Sequence, residues 1–246
     1  MERLKNRVKR VIEGVLDLIF PPKCIFCREI LSSDEIDRDR LICKECTEEM
    51  EIVGWMAGET RIGPCEQKIS GLFSALKYNR GVKNAIHGFK FREREFYGRT
   101  LGGIMAEGLV DYARMFDVIV PVPLSKERLN QRGFNQSQVV AEELERSLKI
   151  KAENDVLVKK VHTQKQSMLK GRERSDNVSN AFCVKYPERI VNKNVLIIDD
   201  VLTTGSTLGE CAKILLEAGA MKVYVSVIAV KSSLKDIEKK KENPKT

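Results

Sequence analysis

One string limits the fold of this chain more than any other: residues 195–207, VLIIDDVLTTGST. Four apolar residues, Val195, Leu196, Ile197 and Ile198, read as a short buried strand, being mostly β-branched. Two adjacent carboxylates, Asp199 and Asp200, follow, and then a loop of Thr, Gly and Ser. Beyond it Leu208, Cys211, Ala212, Leu215 and Leu216 recur at helical spacing, and Gly219 stands where a helix takes a C-terminal glycine. A helix that starts around 203–207 at the carboxyl end of a strand offers unpaired backbone N–H groups and a positive dipole end, which together make an anion site. Gly205 lets the backbone approach a phosphate, and the hydroxyls of Thr203, Thr204, Ser206 and Thr207 add donors. Phosphate alone does not call for Asp199 and Asp200, whose charge repels it. The pair makes sense as acceptors for a sugar diol, or as partial ligands of a Mg²⁺ that travels with the ligand. There is no GKS or GKT and no GxGxxG, so a Walker loop and a dinucleotide fingerprint are both disfavoured. The plainer alternative is a polar strand-to-helix turn with Asp as its cap.

The rest of the chain agrees with an alternating sheet-and-helix pattern. Residues 81–89, 100–112 and 135–148 read as helices; 116–122 (FDVIVPV), 223–230 and the start of a run at 155–158 read as strands. Strands alternating with helices imply right-handed β-α-β units and a mainly parallel sheet flanked by helices. Residues 1–20 carry Leu4, Val8, Val11, Val15, Leu18 and Ile19 at near-helical spacing and stop at Pro21-Pro22, so an amphipathic helix is expected over 1–22. The Gly- and Pro-containing stretch 54–64 reads as a linker, and the charged tail 235–246 as frayed.

Between helix and linker lie two cysteine pairs, Cys24-x2-Cys27 and Cys43-x2-Cys46, in a segment with little apolar periodicity. Each CxxC turn points two thiolates at one ion, and two turns complete a closed tetrahedron, so structural zinc is expected, ahead of an iron–sulfur centre or thiol redox chemistry. Cys65 stands alone, and Cys183 and Cys211 read as small apolar core residues. The segments are therefore 23–64 for ribbon and linker, 65–234 for an α/β domain, and 235–246 for the tail.

Charge narrows the ligand. The net charge of +8 is concentrated in 1–10, 77–99 and 159–174, the last with Lys159, Lys160, Lys165, Lys170, Arg172 and Arg174 against only Glu173. Concentrated positive charge suits a polyphosphate, a nucleic acid or an anionic surface. No apolar run approaches the roughly 18 residues a membrane span needs; the best, 11–20, is broken by Glu13, Gly14 and Asp17. With no clean export signal, a cytoplasmic location is expected. At 6% aromatic residues, no base-stacking platform is evident.

The string at 195–207 resembles the phosphoribosyl pyrophosphate (PRPP) motif of type I phosphoribosyltransferases at all 13 positions. The resemblance implies that Asp199 and Asp200 hold the ribose hydroxyls and that Thr203, Thr204, Gly205, Ser206 and Thr207 wrap the 5′-phosphate. Further strings resemble ComF-type competence proteins: PVPL…R…RGFNQ over 121–136, Tyr78 with Phe89-Lys90-Phe91-Arg92, and Thr163, Gln164, Gln166, Leu169, Arg172, Arg174, Asn177 and Ala181-Phe182. They imply a phosphoribosyltransferase-like domain over 65–234, with Arg128 and Arg132 on the pyrophosphate side and Lys170, Arg172 and Arg174 on a hood loop. Phe89 and Phe91 read as core, and Lys90 or Arg92 is expected to face the ligand. The resemblance also implies a role in natural competence and DNA uptake, with single-stranded DNA and other competence proteins as partners. Two other readings stay open: a PRPP-sensing regulator without transferase activity, and a transferase of nucleotide metabolism unrelated to DNA.

Overall fold

In the computed structural model, the described residues are 20–32, 34–37, 40–62, 68–91, 94–160 and 181–231. The expected N-terminal helix, Cys65, most of the basic stretch 159–174 and the charged tail lie outside them.

The centre is a five-stranded sheet in the order β1-β2-β7-β6-β3. Its strands are β1 (Ile52–Arg61), β2 (Lys68–Lys77), β3 (Val118–Pro121), β6 (Asn194–Leu202) and β7 (Lys222–Val230). β2, β7, β6 and β3 run parallel, and β1 joins the edge antiparallel to β2. A small hairpin-like pair, β4 (Leu157–Lys159) and β5 (Phe182–Val184), lies apart from it. The parallel strands carry near-continuous apolar runs because both faces are covered. Their alternation sorts side chains to two cores. Leu196, Ile198, Tyr224 and Ile228 pack with α2 (Arg80–Phe91), α3 (Arg94–Leu109) and α5 (Gln136–Leu148). Val195, Ile197, Val223, Val225 and Val227 pack with α6 (Ser206–Glu217) and Phe182.

The expected helices and strands form with shifted ends. The helix read at 100–112 begins at Arg94 and tightens into a 3₁₀ turn over Val110–Met115. The strand read at 195–198 continues through the two carboxylates to Leu202. Gly219 adopts φ 97° just past α6, as expected for a left-handed helix stop. The linker reading of 54–64 is corrected: residues 52–61 are strand β1. Gly54 and Gly58 sit at positive φ, and the register slips between Ala57 and Thr60, which broke the two-residue periodicity that marks a strand. Trp55, the single tryptophan, anchors β1 by stacking on Tyr112 at 5.1 Å between ring centres.

The cysteine segment is not a separate appendage. Ile25, Phe26, Leu31, Leu41 and Ile42 belong to the same apolar cluster as Val82, Ile86, Phe89 and Leu101. Arg28 crosses to the Tyr97 hydroxyl and donates to the Asn84 carbonyl at 3.1 Å, while the Asn84 amide donates to the Phe26 carbonyl at 3.3 Å. The ribbon is thereby clamped to α2 and α3.

Candidate functional site

The carboxyl ends of β3 and β6 lie side by side, joined by the Val122 amide donating to the Ile198 carbonyl at 2.9 Å. Ligands of open α/β sheets gather at this edge. β6 brings Asp199 and Asp200 there, and the chain then turns through Thr203, Thr204 and Gly205 into α6. Gly205 takes φ 77° and, without a side chain, makes no cap bond itself, while the Thr204 hydroxyl accepts from the Ser206 amide at 3.5 Å. Thr203, Thr204 and Thr207 are exposed and Ser206 is half-buried, so the donors of the first turn face outward. The Thr204 and Ser206 hydroxyls lie 3.1 Å apart. The turn thus sets exposed hydroxyls and the start of a helix beside a pair of acids, an arrangement able to receive an anion.

The facing wall comes from the loop after β3. The short helix α4 (Lys126–Arg132), capped by the Ser125 hydroxyl, ends at Gly133 with φ 77°. Asn135 then caps α5 and donates to the Val122 carbonyl at 2.9 Å, which fixes the start of α5 against the end of β3. From there the Ser137 hydroxyl donates to Asp199 Oδ1 at 3.1 Å. Arg132 donates to Gln136 Oε1 at 2.8 Å, while Gln136 Nε2 is buried with no partner. Arg128 sits on the same short helix with its side chain exposed. Lys170, Arg172 and Arg174 fall outside the described residues. Lys90, from the last turn of α2, pairs with Asp200 Oδ2. Ser137 was not singled out in the sequence, and Gln136 only as the last residue of the RGFNQ string. Their signal is only their place directly after Asn135 in the RGFNQSQ string.

The electrostatics of the acid pair are uneven. Burial pushes the Asp199 carboxyl up to about 7, and the neighbouring Asp200 charge adds to the shift. The Asp200 amide, the Ser137 hydroxyl and Lys90 pull the other way. Two acids crowded at a strand end suit a ligand that brings hydroxyl donors or a cation. A hard cation such as Mg²⁺, which keeps most of its waters and takes one or two carboxylates, fits this donor set.

The second centre is the cysteine cluster. The Sγ atoms of Cys24, Cys27, Cys43 and Cys46 all lie within 4.8 Å of one another, and those of Cys27 and Cys43 are 3.7 Å apart. Tetrahedral zinc–thiolate bonds of ~2.3 Å would set sulfurs about 3.8 Å apart. The first half is turned by Arg28 at φ 74°, the second by the short helix α1 (Lys44–Glu48), where Cys43 is both ligand and cap. Burial pushes the Cys43 thiol up to about 12 and the Cys46 thiol higher still. Burial also opposes the Cys24 thiolate, but hydrogen bonds from the backbone around Cys27 and Cys43 outweigh it and draw that group down. Thiols so crowded ionise together only when a cation shares their charge. Of the other cysteines, Cys211 is fully buried as expected, whereas Cys183 is half-exposed on β5.

Among the described residues, no helix is long and apolar enough to cross a membrane.

Both centres lie within segments that match known domains. Residues 15–56 match the double zinc ribbon domain, and 103–245 match the phosphoribosyl transferase domain. Among the described residues the four-cysteine cluster is the one candidate for a metal formed by cysteines. The DNA utilization protein YhgH of Escherichia coli K12 is 30% identical over 228 residues, covering 85% of this chain and 96% of the relative. Competence protein F of Haemophilus influenzae is 33% identical over 57% of this chain, and competence protein ComFC of Bacillus subtilis 32% over 65%. The match spans 64% of the Haemophilus protein and 63% of the Bacillus one. The family match and the four close sulfurs support a structural zinc. With a zinc ribbon clamped to a phosphoribosyltransferase-type sheet, this chain belongs to the ComF-type group of the phosphoribosyl transferase domain family.

Proposed function

We propose that the protein binds PRPP with Mg²⁺ at the carboxyl edge of the sheet and transfers its phosphoribosyl group to an acceptor, releasing pyrophosphate. The observation that supports this most is the continuity of β6, Asp199-Asp200, the Gly205 turn and α6, which sets acids for a diol beside donors for a phosphate. In this reading Asp199 and Asp200 accept from the ribose hydroxyls. Thr203, Thr204, Gly205, Ser206 and Thr207 hold the 5′-phosphate. Arg128 and Arg132, with Lys170, Arg172 and Arg174 from the hood segment, take up the negative charge that develops as the C1–oxygen bond breaks. Mg²⁺ would be held by Asp199 or Asp200 together with ligand oxygens, and would offset pyrophosphate charge. The reaction is tested by incubating labelled PRPP with nucleobases and amines. Acceptor-dependent pyrophosphate release supports transfer, while tight binding without turnover leaves a PRPP sensor.

We further propose that this chemistry serves the handling of incoming DNA in the cytoplasm, alongside other competence proteins. The printed names of the relatives, competence protein and DNA utilization protein, motivate this. The physical means is the positive charge carried by the sequence segments 77–99, 1–10 and 159–174. With few aromatic residues to stack bases, binding to single-stranded DNA would be electrostatic, so affinity falls log-linearly with salt. Absence of binding at low salt removes the DNA role and leaves the transferase reading standing.

A further inference from the structure

Helix α2 links the ribbon to the acid pair. Its N-terminal turn is capped by Asn79, whose side-chain oxygen accepts from the Val82 amide at 2.9 Å. Val82, Ala85, Ile86 and Phe89 recur at i, i+3, i+4 and i+7, and all are buried. Midway, Asn84 is held from both sides by Arg28 and by the Phe26 carbonyl. Gly88 lets Tyr97 and Arg28 come close: a Cβ there would sit 2.5 Å from the Tyr97 hydroxyl. Phe89 is fully buried, with Phe134 and Tyr97 rings at 5.8 and 6.5 Å between centres. The last turn is therefore fixed on three sides, and the next side chain, Lys90, is aimed at Asp200.

The Lys90–Asp200 pair is 23% and 18% exposed at its two ends. A pair this enclosed contributes little net stability, because desolvation offsets much of the attraction. Its location is more informative. Asp200 is one of the two acids read above as ribose acceptors, so a ligand that engages Asp200 must displace Lys90 or share the acid with it. Lysine suits such an exchange. Its ammonium is a point charge with three donors on a flexible stem, free to re-aim where an arginine fork would be fixed to one geometry.

We propose that Lys90 is a ligand-site cation that exchanges partners, resting on Asp200 in the free protein and moving to a phosphate of the bound ligand when the sugar hydroxyls and a divalent ion take Asp200. The inference rests on the PRPP reading. It gives Lys90 two opposite effects. Before the ligand arrives it competes with a divalent cation for Asp200; afterwards it adds an attractive charge to the polyphosphate.

The test uses Lys90→Met, which keeps most of the apolar stem, and Lys90→Arg. Mn²⁺ binding alone is followed by electron spin resonance, and PRPP–Mg²⁺ binding by calorimetry, on the full chain. In Lys90→Met, Mn²⁺ should bind several-fold tighter and PRPP about tenfold weaker, with Lys90→Arg recovering part of the PRPP affinity. A purely structural lysine would weaken both ligands together along with the melting temperature, and that result overturns the proposal. So does unchanged PRPP affinity in Lys90→Met when the wild type binds PRPP. A wild type that binds no PRPP overturns the functional reading itself, and the exchange with it.

Discussion

The Ser137 hydroxyl donates to Asp199 Oδ1 at 3.1 Å, tying the first turn of α5 to the carboxyl end of β6. This bond joins the wall that carries Arg132 to the acids, and it partly offsets the burial that raises the Asp199 carboxyl. Ser137→Ala removes the donor from a crowded carboxylate, where a hydrogen bond to a charged group is worth about 1.5–3 kcal/mol. PRPP affinity should fall about tenfold or more with the fold intact. Calorimetry and circular dichroism on the same sample check both halves.

The ribbon should depend on its metal. Cys43 contributes a sulfur to the cluster and caps α1, and Cys43→Ser opens the ligand set while its hydroxyl can still cap the helix. Metal analysis should show near-stoichiometric zinc in the wild type and its loss in the variant. Because Phe26 and Arg28 lock the ribbon to α2 and α3, the melting temperature should fall as well. Zinc retained undiminished in Cys43→Ser would exclude this ligand set.

A pH-dependent contribution lies away from the site. Glu153, 5% exposed, pairs with Lys151 at 2.6 Å and with Arg189 at 2.9 Å. Burial alone would raise its carboxyl, but the two cations and their hydrogen bonds outweigh it and the group is held below its ordinary value. A carboxylate lowered on folding stabilises above its unfolded pKa and loses that contribution as pH falls through the folded value. Glu153→Gln should therefore cost about 1–3 kcal/mol near pH 7. The gap to wild type should close as the pH drops below about 4.5. Denaturant titrations across that range measure it, and a gap that widens on acidification contradicts the assignment.

The edge strand rests on close packing at one glycine. A Cβ on Gly71 would lie 2.5 Å from the Trp55 ring, which is wedged between β2 and Tyr112. Gly71→Ala should shift the ring and cost roughly 1–3 kcal/mol, the usual range for overpacking. Since Trp55 is the single tryptophan, its fluorescence reports the displacement directly.

What the sequence revealed and what it hid follow from how each feature is encoded. The strand–acid–loop–helix unit at 195–207 was legible because its parts are contiguous and each has a local rule: β-branched residues, a turn glycine, helical spacing. The cysteine cluster was legible for the same reason, since paired CxxC turns declare their geometry. β1 was not, because Gly54, Gly58 and a register slip erase its alternation, and the contacts that hold it, Trp55 with Tyr112 and Gly71, are distant in sequence. Ser137 lay hidden for a similar reason. A serine at the start of a helix looks like an ordinary surface residue until topology places β6 beside it. The Lys90–Asp200 pair spans most of the α/β domain, so the sequence offered Lys90 and Arg92 as equal candidates. The structure shows Lys90 at the acid, and Arg92 lies outside the described residues.

In the proposed function, Asp199 and Asp200 form the sugar end of a PRPP site. Isothermal calorimetry of PRPP in the presence of Mg²⁺, on wild type and on the Asp199→Asn, Asp200→Asn double variant, tests it most directly. Both acids are half-buried near the carboxyl end of β6, and asparagine keeps their size while removing the charge, so the variant should fold. Saturable wild-type binding that weakens at least about 100-fold in the double variant, as expected for two lost contacts to charged groups, is the predicted result. Equal affinity in the two proteins, or no wild-type binding at all, would contradict it.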